Sequence, residues 1–215
     1  MPGLAPRILG GLRAAAAFAL VAVCVPLAAR AEPAVFAVDP KASHVRIHLG
    51  RSGLFQFMGH EHHIEAPVTQ GRVEVTDGDP GRSSVALRFA SAALHVIPGS
   101  EPADDIPKVE ERMRTEVLEV SRYPEIVFAS SSVRSSEGTG ARLKLTVAGT
   151  LTLKGRSFPV EIPLEVESQG ESLTARGEVE LKLRDLGIEP PSVGGVVNVS
   201  NRFKLELEVH ARRAP

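Results

Sequence analysis

The stretch MGHEHHIEA, residues 58–66, holds the densest chemistry in the chain. Five of the seven histidines, His44, His48, His60, His62 and His63, fall within one short segment. On a strand, His60 and His62 point the same way, about 7 Å apart, while Glu61 and His63 point the other way. Such a pair is a bidentate half-site for zinc, copper or nickel. His44 and His48 sit on the polar alternates of the preceding strand, opposite Val45 and Ile47. If the two strands pair, either would supply a third ligand, although a durable site wants three or four ligands and carboxylate support. The same imidazoles suit a hydrogen bond to a quinone carbonyl or a phosphate, with Phe55, Phe57 and Gly59 just upstream. The third reading is a solvated strand with no special role. All three stay open.

Hydrolytic and nucleotide chemistry finds no support. The chain lacks a Gly-x-Ser-x-Gly elbow, a phosphate-cradling glycine loop and a His-Glu-x-x-His helix. GHEHHI has the letters of a zinc peptidase motif without its spacing.

The elements that position these residues begin after a leader. Arg7 and Arg13 precede the apolar run AAAAFALVAVCVPLA, and Ala29-Arg30-Ala31 supplies a small-x-small cleavage pattern. The run is shorter than the roughly 18–20 residues of a spanning helix. Residues 1–31 therefore read as a signal peptide cleaved after Ala31, with export to the periplasm or beyond and no stable membrane anchor afterwards. Cleavage removes Cys24, the only cysteine, which excludes thiol catalysis and cysteine-ligated metal. The remaining 22 basic and 26 acidic residues are interspersed, which leaves no basic footprint for nucleic acid. Residues 32–215 are long enough for one cored domain.

The period along that domain is two. Leu143, Leu145, Val147, Gly149, Leu151 and Leu153 fall on one face of ARLKLTVAGTLTL, with Lys144, Thr146, Thr150 and Thr152 on the other. FPVEIPLEVES, SLTARGEVELKL and RFKLELEVHA repeat the alternation, joined at Lys154-Gly155-Arg156, Gln169-Gly170-Glu171 and a longer loop around 190–195. Earlier strands are expected at 45–49, 71–75, 83–89, 92–97 and 125–130. In DDIPKVEERMRTEVLEVSRYP, Ile106, Val109, Met113, Val117 and Val120 recur at three and four, so a single helix is expected from the Asp105 cap to Tyr123-Pro124. Eight or nine amphipathic antiparallel strands with one helix must bury one face of each strand. The meander order and strand length favour a closed up-and-down barrel over a sandwich. Gly149, Ala175 and Gly177 on the inward face either leave room for an elongated ligand or relieve curvature.

The chain resembles the YceI-like family in three ordered stretches: VDPKASHVRIHLG (38–50), SRYPEIVFASSSV (121–133) and VAGTLTLKGRSFPVEIPL (147–164). The resemblance implies an all-β, lipocalin-like barrel with a helix, a tubular apolar cavity for a polyisoprenoid or isoprenoid quinone, no catalysis and no cofactor. The chain departs from the family pattern at Ala42, in the spacing from Gly50 to Gly59, and at DDIPKVEERM, where members carry an Arg-Asp-x-His-Leu run. Headgroup recognition by that run does not carry over. Lining candidates are the inward alternates Val45, Ile47, Leu87, Phe89, Phe128, Val147, Leu151, Phe158, Val160, Ile162, Val179, Leu181, Phe203 and Leu205. Asn201, in phase with Phe203, lies at the mouth or touches a headgroup, as His60 or His62 would. Exposed sheet edges would favour a homodimer.

Overall fold

The computed structural model describes residues 32–52, 62–193 and 197–215. The expected signal peptide, His60, Phe55, Phe57 and Gly59 lie outside the described residues.

Strands β1 (Ala34–Val38) and β2 (His44–Ser52) run in the same direction along one long partner, β12 (Val197–Arg213), and form a single broken strand. Strands β3 (His62–Glu65) and β4 (Val68–Val75) are likewise one strand, interrupted at Ala66-Pro67, and pair with β2 and β1 in turn. Strands β5 (Ser84–Ala90) and β6 (His95–Val96) continue the pattern beside β4 and β3. Then come β7 (Glu125–Thr139), β8 (Arg142–Leu153), β9 (Arg156–Gln169) and β10 (Ser172–Lys182), each antiparallel to its neighbour. The β10–β12 ladder and the β12–β1/β2 ladders close an eight-stranded up-and-down barrel. A two-residue strand, β11 (Ser192–Val193), lies beside the start of β12.

Three adjacent strands thus break at mid-height, and the first break shows how the backbone is kept satisfied. Asp39 Oδ1 accepts the amides of Lys41 and Ala42 at 3.0 and 3.4 Å, which turns the chain out of the ladder. Buried Ser43 fills the break: its Oγ accepts from the His210 amide at 3.0 Å and donates at 3.3 Å to the His210 carbonyl, which also accepts the Asp39 amide at 2.8 Å. Of the segment expected as a strand at 92–97, only His95–Val96 is one. The chain makes a tight turn over Ser91–Ala93 first, with Ser91 and Leu94 buried against the core.

The helix is shorter than its periodicity predicts. Regular α1 spans Ile106–Arg112 and then widens into a π-turn over Met113–Val117. The Leu118 amide bonds the Met113 carbonyl at 2.8 Å. That five-residue step places both Met113 and Leu118 in the core, which a 3.6-residue repeat would not do. Glu119 then adopts φ +50°, ending the helix, and its carboxylate meets Lys154 at 2.6 Å on the β8–β9 turn. That turn is Lys154-Gly155, both at positive φ, as a two-residue hairpin demands.

Candidate functional site

The site is the inner face of the barrel and the gaps in its wall. All fourteen inward alternates belong to the apolar core. Val45, Phe89, Phe128, Val147, Phe158, Val160, Ile162 and Phe203 are buried, whereas Ile47, Leu87, Leu151, Val179, Leu181 and Leu205 remain half-buried. The glycines among them serve close approach. A Cβ on Gly149 would overlap the Phe128 ring and the Ala129 carbonyl, and one on Gly177 would overlap the Pro163 carbonyl. At those two positions the space a side chain would need is taken by the neighbouring strand.

The histidines separate across the wall. Cross-strand register pairs His48 with His63 and Leu49 with His62. His44, His48 and His63 therefore share the outer face with Glu65, while His62 turns inward with Ile64. Outside, His44 Nδ1 meets Glu65 Oε1 at 3.0 Å and Arg46 Nε donates to Glu65 Oε2 at 3.2 Å. His48 Nε2 meets Glu206 Oε2 at 3.2 Å, and the His48 and His63 rings meet edge to face at 4.8 Å. The suggested metal set of His60 and His62 with His44 or His48 is therefore not brought together: His62 and the first-strand histidines lie on opposite sides of the sheet. Among the described residues no group of three or more His, Cys, Asp or Glu is arranged to hold a metal ion.

Inside, His62 Nδ1 contacts Glu101 Oε1, and the Glu101 side chain is only 2% exposed. Glu101 lies on the loop between β6 and α1, tied back where the Ile97 amide bonds the His63 carbonyl at 2.8 Å and Ser100 Oγ donates to Ile97 at 2.7 Å. The helix joins the same corner through Glu110, whose carboxylate accepts the Val96 amide at 3.0 Å and Arg114 at 2.8 Å. A buried carboxylate beside an inward imidazole thus sits at the helix end of the barrel. Nothing in the polar sequence GSEPADD singles Glu101 out; its burial follows from where the loop folds. Asn201 is engaged within the chain. Its Oδ1 accepts the Arg184 amide at 3.1 Å and its carbonyl the Leu183 amide at 2.8 Å, pinning the turn after β10.

Of the ladders that join β7, β8, β9, β10 and β12, one ends part-way along its strands. The β9–β10 ladder runs from Gln169–Ser172 to Glu165–Arg176 and stops, although both strands continue. There a cavity of about 510 Å³ is lined by Leu145, Pro163, Leu164, Gly177 and Leu207, with Lys144, Glu165, Arg176 and Glu206 also on its walls.

A YceI-like domain is matched over residues 36–211, nearly the whole barrel. The chain belongs to the YceI-like family. Among solved structures it is similar to BcnA of Burkholderia cenocepacia, at 16% identity and a TM-score of 0.63, over 80% of this chain and 98% of that one. It is also similar to a polyisoprenoid binding domain from Saccharophagus degradans implicated in plant cell wall breakdown. There the identity is 14% and the TM-score 0.57, over 83% of this chain and 98% of that one. The search of curated proteins returned no match. This YceI-like chain shares the barrel of those neighbours at identities that speak for the fold alone.

Proposed function

We propose that this YceI-like protein is an exported, non-enzymatic carrier that holds a long-chain isoprenoid lipid, a polyisoprenoid or an isoprenoid quinone, inside its barrel. The observation that carries the reading is the inner wall. Its fourteen inward alternates are all aliphatic or phenyl, and six of them stay half-buried although they face the interior. Each methylene moved from water to such a surface gains about 0.8 kcal/mol, so several isoprene units bind tightly without a specific hydrogen bond. The His62–Glu101 pair offers the polar contact for a headgroup at the helix end. Family membership and the Saccharophagus neighbour support the ligand class, and the leader pattern of residues 1–31 supports export.

Native mass spectrometry of the protein from its own host, followed by organic extraction and metal analysis of the same sample, tests this reading. A stoichiometric, extractable adduct with the mass of a polyprenyl chain is expected. A lipid-free protein carrying near-equimolar zinc or copper, lost on changing His60 and His62 to alanine, would overturn it.

A further inference from the structure

Sequence and pairing together mark β9 as an edge strand inside a closed barrel. Ser168 donates its amide to the Ala141 carbonyl at 2.7 Å, so the even-numbered residues of β9 direct their hydrogen-bonding groups toward β8. The β8–β9 register continues unshifted from Arg142–Glu167 to Leu153–Arg156. The odd-numbered residues therefore face β10, and Gln169, Glu167 and Glu165 are the ones whose partners there are Ser172, Thr174 and Arg176. Next in line on β9 stand Pro163, Glu161 and Pro159, opposite Glu178, Glu180 and Lys182. Two of these three have no N–H to give, and the ladder ends at the first of them.

The stretch of β10 that lacks a ladder on its β9 side runs from Gly177 to Lys182, roughly 20 Å at 3.3 Å per residue, and stays paired with β12 on the other. Its two banks differ. Inward residues on the β9 side, Val160 and Ile162, are buried, while Val179 and Leu181 on the β10 side are half-buried. The far end is closed, because a Cβ on Gly187 would press the Arg156 guanidinium and the Phe158 ring, where Arg156 lies 5.4 Å over the ring. The near end borders the 510 Å³ cavity, where the Pro163 carbonyl still lies close against Gly177. The prolines also blunt this edge against an added strand, since an incoming backbone would find carbonyls but few donors.

Resting on the lipid-binding reading, we infer that the seam between β9 and β10 is a lateral entrance through which the isoprenoid chain slides into the barrel. A linear apolar chain needs no end-on threading if one wall parts along its length, and Val179 and Leu181 present apolar surface at the gap. The seam sets the rate of loading, whereas the lumen sets the affinity.

The test restores the missing donors. In Pro159→Thr/Pro163→Thr both exposed positions regain an N–H beside Thr150 and Thr146 of β8. Slower hydrogen exchange at the Glu178 and Glu180 amides reports closure of the seam. Uptake of an anthraniloyl-tagged C40 polyprenol from phosphatidylcholine vesicles is then expected to slow by about tenfold or more, with the final stoichiometry unchanged. A second variant, Glu161→Cys/Glu180→Cys in a Cys24→Ser background, closes the same gap with a short bifunctional thiol reagent if the ladder does not re-form. Slower uptake only after cross-linking supports the seam. Uptake at the wild-type rate with the seam closed, by ladder or by cross-link, would overturn it. No uptake by the wild type would instead sink the lipid-binding reading itself.

Discussion

Glu101 illustrates how much a single buried carboxylate depends on its neighbour. Its side chain is shut away from solvent and faces the inward imidazole of His62. Glu101→Ala leaves a ring nitrogen at the helix end without its partner, and an unmade buried polar contact costs about 1–3 kcal/mol. The urea midpoint should fall accordingly, whereas His44→Ala, on the solvated face, should stay within about 0.5 kcal/mol of wild type. Equal losses in the two variants would show that the Glu101 corner contributes nothing beyond an ordinary surface contact. The contrast was only partly legible in the sequence. Alternation predicted that His62 and His63 face opposite ways, but not which one faces inward. That depends on the β2–β3 register and on a loop forty residues downstream folding back over His62.

Among the elements, the long strands of the second half were readable because each turns one apolar face inward along its full length. Leu143 to Leu153 and Leu173 to Leu183 follow the expected parity. The first half was harder, since the breaks at Ser43, Ala66 and Ser91 are set by tertiary contacts such as Ser43 with His210. Outer faces of the long strands are laced by cross-strand ion pairs, among them Arg176 Nη2 with Glu208 Oε1 at 2.6 Å between β10 and β12. The Arg176 hydrogen bonds hold the Glu208 carboxyl below its usual range against the opposing effect of burial, with His210 adding to the lowering. A depressed folded pKa means that the unfolded chain binds more protons in the acid range, so stability rises with pH there. The contribution is present above the ordinary carboxylate value of about 4.3 and is lost as pH falls through the lower folded value. Glu208→Gln should therefore flatten the acid limb of the stability profile, by a small amount because the pair is exposed. Urea midpoints from pH 7 downward measure it, and an acid limb identical to wild type would remove Glu208 from the account.

At the scale of the whole barrel, the question is which inward side chains hold the wall together and which hold a ligand. Packed core and lumen lining respond oppositely to truncation. Phe128 is buried at 6% exposure and covers Gly149, so Phe128→Ala should cost about 3–5 kcal/mol with or without lipid. Leu181 faces inward but stays half-buried beside the seam, so the empty protein should lose less from Leu181→Ala than this core truncation. Its larger effect should appear on loading. A ligand that binds only the folded state stabilises it by about 2.7 kcal/mol at a hundred times its Kd, and weaker binding by the variant reduces that increment. Denaturation of delipidated and C40-polyprenol-loaded protein, for both variants and wild type, separates the two roles. Leu181→Ala should show a smaller lipid-dependent increment than wild type while Phe128→Ala retains it on a lowered baseline. The reverse pattern would place the ligand-contacting surface away from β10, and the inner wall near the seam would then be core.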